Sequence, residues 1–468
     1  MSSRLDARDV VEQALAAVRC DEAIVLAEET SSANLRWAGN TLTTNGVARS
    51  RQLTVIAISR GRGGTAAGVV SRAGVRDEQI AAVVAEAEQA AAQASPAEDA
   101  MPLVASPGPG GAGSTGWDDP VTGTGIGVFG SFAPALGAAF ADAAADGRKL
   151  YGYAEHILTT TFLGSSAGLR LRFDQPEGKV ELNAKSADLS RSAWAGVAAP
   201  DFAGVDVAGM AAGLAQQLGW AARQVELPAG RYETLLPPSA VADLMVYLYW
   251  SAGARDALDG RTVFSRPGGG TRIGDRLARL PVTLRSDPAA PGRQCAPFVI
   301  SRASGRESSV FDNGIPLAAT DWIADGELAA LTQTRASAAR GGMAVTPAIG
   351  NLSVIVPGAD ASLADMIART DRGLLLTCLW YIREVDAQSL LLTGLTRDGV
   401  YLVEKGEVTA AVNNFRFNES PVALLDRVTE AGATTATLPR EWSDYFTRAA
   451  MPPMRVEDFN MSSVSQAS

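Results

Sequence analysis

Hydrolysis by a protein chain needs a nucleophile with a base, or a metal held by imidazole, thiolate or carboxylate groups, and this chain supplies few of those residues. Its one histidine is His156, and its three cysteines, Cys20, Cys295 and Cys378, lie far apart with no Cys-x-x-Cys pair. A zincin-type centre takes two imidazoles about one helical turn apart and a carboxylate to activate water, so residue supply argues against a histidine-based metal site. Gly164-Ser165-Ser166-Ala167-Gly168 has the form of a G-x-S-x-G nucleophile elbow. That elbow joins a strand to a helix and passes its proton to a histidine later in the chain. Here strand-like sequence follows and the histidine comes earlier, so a β-turn is expected. His156 shares one face of an alternating stretch with Leu158 and Phe162, the pattern of a satisfied structural histidine. No residue is assigned a catalytic or metal-binding role. Arg397 and Arg416 are the candidates for contacting a substrate, with pairing to nearby carboxylates as the alternative. "GRGGTAAG" at 61–68 and "PGGGTRIGD" at 267–275 lack both the G-x-G-x-x-G spacing and a Walker lysine, and read as flexible loops.

The elements that would position these residues follow from periodicity. Helical spacing of apolar residues is expected over 5–19, 77–93, 131–146, 207–224 and 239–256, the last with Ser239 as its cap and a stripe of Val241, Leu244, Met245, Leu248 and Ala252. Between 150 and 196, aromatic, threonine and apolar residues alternate between turn signals, as in an antiparallel meander. "LLLTGLTRDGVYLVEKGEV" reads as a hairpin with Asp398-Gly399 and Lys405-Gly406 as turn pairs. The fold class is α+β: an N-terminal α+β domain over 1–105, a Gly/Pro linker at 106–116, a middle meander with helices over 117–228, and a strand-rich mixed C-terminal domain over 229–462.

Charge and length narrow the partners. Lys and Arg number 41 and Asp and Glu 51, for a net charge of −10, which disfavours nucleic acid. The 468 residues are enough to bury a large core without disulfides or a structural metal. Asp6, Arg8, Asp9 and Glu12 interrupt what a signal peptide would need as an apolar stretch, and the longest apolar runs reach only half of the ~20 residues of a membrane span. A soluble, cytoplasmic protein with no membrane partner is expected.

"LWYIREVDAQSLLLTGLTRDGVYLVEKGEV" followed by "NNFRFNESP", with "FDNGIPLAATDWIADGEL", "GYAEHILTTTFLGSSAGLRLRFDQ" and "ANLRWAGNTL", resembles the TldD/PmbA family over nearly the whole chain. The resemblance implies a metallopeptidase-related fold. In that family the zinc subunit carries an H-E-x-x-x-H helix and a later cysteine ligand, whereas the TldE/PmbA-type subunit lacks them. The helix falls where this chain reads Val246-Tyr247-Leu248-Tyr249-Trp250-Ser251, and residues 440–468 hold no cysteine. The resemblance therefore implies a subunit without a metal of its own, with zinc in a TldD-type partner, a heterodimer or larger assembly, and unfolded or extended peptides as substrate. A second reading is a stand-alone peptide-binding or scaffold protein with the same fold. A serine hydrolase using Ser166 ranks last, because its base is missing.

Ser166→Ala is accordingly expected to leave any peptidase activity of an assembled complex within a few-fold of wild type. A steady-state assay showing the ~10³-fold or larger loss of a true triad member would restore the serine-hydrolase reading.

Overall fold

The computed structural model describes residues 5–105 and 116–465; residues 106–115 of the expected Gly/Pro linker lie outside the described residues. Strands β1 (Glu22–Trp37), β2 (Leu42–Gly61), β3 (Gly64–Ala73), β4 (Lys149–Ser165), β5 (Arg170–Lys185) and β6 (Ser192–Ala198) form a single sheet in the order β3-β2-β1-β4-β5-β6. All of its pairs are antiparallel, with Ile24 opposite Ile56 on one side of β1 and Ser165 on the other. The segments on either side of the linker therefore share one sheet. The expected meander is its β4-β5-β6 half, and Ser166 lies in the turn between β4 and β5, with Gly168 at φ 89°.

Alternation decides which side of this sheet each residue serves. Val25, Ala27, Ala33, Leu35 and Trp37 of β1 face the helices. Helices α1 (Ala7–Ala17) and α2 (Ile80–Gln93) cover one end, with Val10, Val11, Val83, Val84 and Ala87 buried. Helices α3 (Phe132–Ala145) and α4 (Val207–Trp220) cover the other. Ile24 and Leu26 point the opposite way, onto Phe298, Val310 and Phe311 of the C-terminal half.

The C-terminal half contains two further sheets. In the larger, Leu379–Asp386, Leu391–Thr396, Phe415–Glu419, Met454–Val464, Gly230–Leu236, Arg372–Leu376, Val400–Glu404, Glu407–Val412 and Gln224–Val225 lie side by side, starting from an edge at Leu379–Asp386. The smaller runs Glu327–Leu328, Thr320–Ala324, Thr283–Ser286, Leu352–Ile355, Ala449–Met451 and Thr435–Thr437. Helix α5 (Pro238–Trp250) packs against strands of both, and their side chains join it in one core that includes Trp322, Leu352, Leu374, Leu379 and Met454.

Four expectations change here. The helix expected over 239–256 ends at Trp250, and a short α6 (Ala254–Leu258) follows, because the chain between them is pulled into a bridge with Thr332: Ala252 O accepts the Thr332 amide at 2.8 Å and Thr332 O accepts that of Ala254 at 3.0 Å. Its cap is Pro237 rather than Ser239, with Pro238 at the first helical position, where its fixed φ fits and its missing N–H costs nothing. The helix is also buried almost all round from Ala240 to Val246, not along one stripe. Finally, Asp398-Gly399 does not close a hairpin. The strand before it pairs with Leu379–Asp386 and Phe415–Glu419, and the strand after it with Arg372–Leu376 and Glu407–Val412, so only Lys405-Gly406 is a hairpin turn.

Helix α2 crosses β3 so closely that a Cβ on Gly68 would lie 2.1 Å from Ala91 N and 2.3 Å from Ala87 O. Both are backbone atoms, so one element would have to shift. Gly68→Ala should lower stability by about 1–3 kcal/mol in denaturant titration, the usual scale of overpacking. Gly63→Ala, where a Cβ meets only Pro96 Cγ at 3.7 Å, is the near-neutral control.

Candidate functional site

The last turn of α5 is its least buried part, and aromatic side chains occupy it. Val246 is fully buried. The Tyr247 ring is half-buried and lies 5.6 Å from that of Trp442. The Trp250 ring lies 5.2 Å from Trp442 and 6.2 Å from Phe446. Ser251 spends its hydroxyl on the Tyr247 carbonyl, at 2.9 Å. On the opposite side, the Tyr249 hydroxyl donates to Ile349 O at 3.0 Å and accepts from Ile349 N at 2.7 Å, with its ring 5.2 Å from Trp322. Burial raises the Tyr249 phenol above its ordinary range.

One turn earlier, Asp243 is completely buried. Its Oδ1 accepts the Glu441 amide at 2.9 Å, its backbone carbonyl accepts Trp442 Nε1 at 2.8 Å, and its Oδ2 has no hydrogen-bond partner among the described residues. Burial pushes this carboxyl well above the usual aspartate range, against the opposing pull of the Glu441 amide. Glu441 in turn reaches the edge strand, where its carboxylate accepts Tyr381 N at 2.9 Å, Ile382 N at 3.0 Å and Arg383 Nη1 at 3.2 Å. Tyr381 has a φ of 54°, which turns two successive N–H groups toward one anion.

Residues 440–446 also clamp the first sheet. The Arg440 guanidinium lies 5.4 Å from the Trp194 ring of β6 and 4.7 Å from the Trp380 ring, and its Nη2 donates to Asp398 Oδ2 at 3.3 Å. Asp398, at φ 52°, also accepts from Ser192 of β6. Lys179 of β5 pairs with Asp444, and Ser443 Oγ donates to Glu181 Oε1 at 3.1 Å. Asp398 is thus held by groups beyond its own strand, at a bend through which pairing with the preceding segment continues: Gly399 O accepts the Thr377 amide at 2.9 Å and Cys378 O accepts that of Arg397 at 3.4 Å.

Few of the residues singled out by sequence meet here. Both ring nitrogens of His156 are bound, Nδ1 to Thr124 Oγ1 at 2.8 Å and Nε2 to Pro200 O at 2.7 Å, and Nε2, facing a carbonyl, is a donor. Ser166 Oγ accepts the Ala23 amide at 3.0 Å. Cys378 is buried, and loss of hydration raises its thiol above the ordinary range. Arg397 lies at the margin of the site, with Nε 3.5 Å from Asp398 Oδ2 and its guanidinium 5.9 Å from the Trp380 ring centroid. Arg416 is exposed on the same sheet and donates to Thr393 Oγ1 at 3.2 Å. Sequence reasoning missed Asp243, Arg440, Glu441 and Trp442. An aspartate inside "AVADLMVYLYW" was the available signal, since a charged residue amid that many apolar ones is buried only with a partner.

An α+β chain built around a buried helix, with a further sheet clamped beside it, is the class that fold and site define. The model of the PmbA/TldA metallopeptidase C-terminal domain matches residues 229–463, half of the chain. The chain belongs to the PmbA/TldD family. Among solved structures, TldE from Thermococcus kodakarensis superposes with a TM-score of 0.76 at 16% identity, covering 97% of this chain and 98% of that one. A candidate modulator of a DNA gyrase from Thermotoga maritima gives 0.73 at 17% identity over 94% and 95%. A candidate modulator of DNA gyrase from Bacteroides thetaiotaomicron gives 0.73 at 13% identity over 98% of each chain. No curated protein matches.

The zinc that the family implies does not fit the residues present. Where the resemblance puts the H-E-x-x-x-H positions, this chain has Val246, Tyr247 and Ser251, and the Trp442 ring lies beside that of Tyr247. Among the described residues no three His, Cys, Asp or Glu side chains converge as a metal would require. Metal analysis of the purified chain should therefore find no stoichiometric zinc, and a chelator should leave its Tm unchanged. About one tightly bound zinc per chain would contradict this.

Asp243 gives a second prediction, with a definite sign. A carboxyl whose folded pKa is raised binds more protons folded than unfolded, so its term in stability falls as pH rises from about 3.9 toward the folded value. Asp243→Asn keeps an acceptor for the Glu441 amide and removes the titration. Denaturation at pH 5 and pH 7 should show the variant gaining stability relative to wild type at the higher pH; an unchanged difference would mean that Asp243 does not titrate there.

Proposed function

We propose that the chain is a metal-free subunit of a two-component zinc peptidase, in which a TldD-type partner carries the metal and this chain supplies one wall of the cavity that holds unfolded or extended peptides. The observation that supports this reading is what stands at the positions the resemblance gives to the metal motif on α5: Val246, Tyr247 and Ser251, with the rings of Trp250, Trp442 and Phe446 packed around that turn. The exposed members around this turn, Trp250 at 42%, Tyr381 at 54% and Tyr445 at 78%, offer broad apolar contact with polar tips, the kind of surface that grips varied side chains. In such a subunit Arg397 and Arg416 would contact the peptide backbone or carboxylates. Its contribution to rate is orientation of the scissile bond near the partner's metal, not acid or base chemistry. A cytoplasmic setting, with no nucleic-acid or membrane partner, accords with the acidic net charge; among the described residues no helix is long and apolar enough to cross a membrane.

One observation favours a second reading, a stand-alone peptide-binding protein. Leu379–Asp386 is an edge strand with Trp380, Tyr381 and Val385 exposed, and an extended peptide could add to it beyond the two N–H groups that Glu441 holds.

Co-expression with a family member carrying H-E-x-x-x-H, followed by size-exclusion chromatography and cleavage of an unstructured peptide, separates the two. Co-elution is expected, with activity that neither chain has alone and that is abolished by mutating the relative's glutamate. Trp250→Ala in the assembled complex should raise KM about tenfold and change kcat little, as loss of ground-state contact does. Cleavage by this chain alone would overturn the proposal, and binding of peptide without any co-elution would favour the second reading.

A further inference from the structure

Beyond the end of α5, where Gly253 bridges Thr332, the loops of the C-terminal half enclose a cavity of about 240 Å³ against β5. Phe298 and Leu317 give it apolar walls, and Gln175, Glu307, Asp312, Gln333 and Arg448 are its charged and amide side chains, Gln175 with its Nε2 on Gln294 O at 3.2 Å. Arg448 is already committed, with Nη1 on Glu177 and Nε on Gly350 O at 2.8 Å. Asp312 is committed too, to Arg335 Nε at 2.8 Å. The acceptors are less well served. Gln333 is only 3% exposed, its Nε2 reaches Ala344 O at 3.3 Å, and its Oε1 has no partner among the described residues. Glu307 is half-buried; Oε2 accepts from Thr332 Oγ1 at 3.2 Å and Oε1 is likewise unpartnered. A buried acceptor without a donor costs about 1–3 kcal/mol, so a wall carrying two of them is complementary to a donor-bearing ligand.

We propose that this cavity binds a small molecule that joins a primary ammonium group to an apolar body, of the size of one amino acid, with Gln333 Oε1 and the Glu307 carboxylate accepting from the ammonium and Phe298 and Leu317 packing on the apolar part. Charge supports an ammonium over a neutral donor. The cavity's one cation is neutralised by Glu177, whereas burial holds the Glu307 carboxyl above its ordinary range, a cost that a bound cation offsets. Gly253 helps to place that carboxylate: a Cβ there would come 2.2 Å from Glu307 Oε1. The site is separate from the aromatic turn of α5 and does not depend on a partner chain.

Leucinamide is the probe, with N-acetylleucinamide as the comparison that keeps the apolar body and loses the charge. Titration calorimetry and thermal shift on the full chain should show leucinamide binding and the acetylated compound binding about tenfold or more weakly, the scale of one charge-assisted hydrogen bond. Leucinamide should also slow alkylation of Cys295, which lines the same cavity. Gln333→Met and Glu307→Gln should each weaken leucinamide about tenfold. If Gln333→Met proves unstable, Gly253→Ala serves instead, since its Cβ would displace the Glu307 carboxylate. Equal binding of the two compounds, binding unaffected by Glu307→Gln, or a leucinamide-soaked crystal with only water in the cavity would overturn the proposal.

Discussion

Burial of α5 on nearly every side is the constraint to which the C-terminal half answers. A helix with Ala240 to Val246 all out of water cannot rest on one sheet and needs cover from two, and the two C-terminal sheets supply it. Each fully buried Val, Leu or Met side chain in such a place stabilises by about 1.5–3 kcal/mol, so the arrangement is strongly favoured once formed. The same enclosure makes Asp243 costly, and its one hydrogen-bonded oxygen fixes where residues 440–446 must run. From there Glu441 reaches the edge strand and Arg440 reaches β6. The position of the first sheet relative to the aromatic turn thus follows from how one buried helix is covered.

The sequence made visible what depends on local pattern. The five long helices announced themselves by apolar spacing, and the turn at Ser166 by its glycines and the strand-like residues after it. What stayed hidden depends on partners distant in the chain. Asp398-Gly399 has the composition of a hairpin turn, and nothing in its neighbours shows that Ser192 and Arg440 hold the aspartate. The break after Trp250 depends on Thr332, some eighty residues on. Pairing of β1 with β4 across the Gly/Pro segment is of the same kind, since two alternating strands carry no record of each other. The site was legible mainly as a lack of metal donors, while the rings that take their place come from a segment read only for its missing cysteine.

Likeness to TldE from Thermococcus kodakarensis at 16% identity over 97% of the chain shows how little residue identity this fold requires. In this chain the backbone itself sets a few residue choices, such as Gly68 against α2 and Gly178, where a Cβ would meet Ala199 O at 2.0 Å.

The order of strands in the first sheet bears on how the chain is made. β1 is flanked by β2, which follows it at once, and by β4, which begins more than a hundred residues later. At ribosomal rates of 5–20 residues per second, the β1-β2 hairpin leaves the ribosome on the order of ten seconds before its second neighbour exists. Through that interval the β4-facing backbone of β1 is an open edge, and Ile24 and Leu26 lack the phenylalanines that later cover them. The nascent chain therefore carries an open strand edge until residue 165 has been made, and Ile24 and Leu26 stay uncovered until residues 298–311 follow α5.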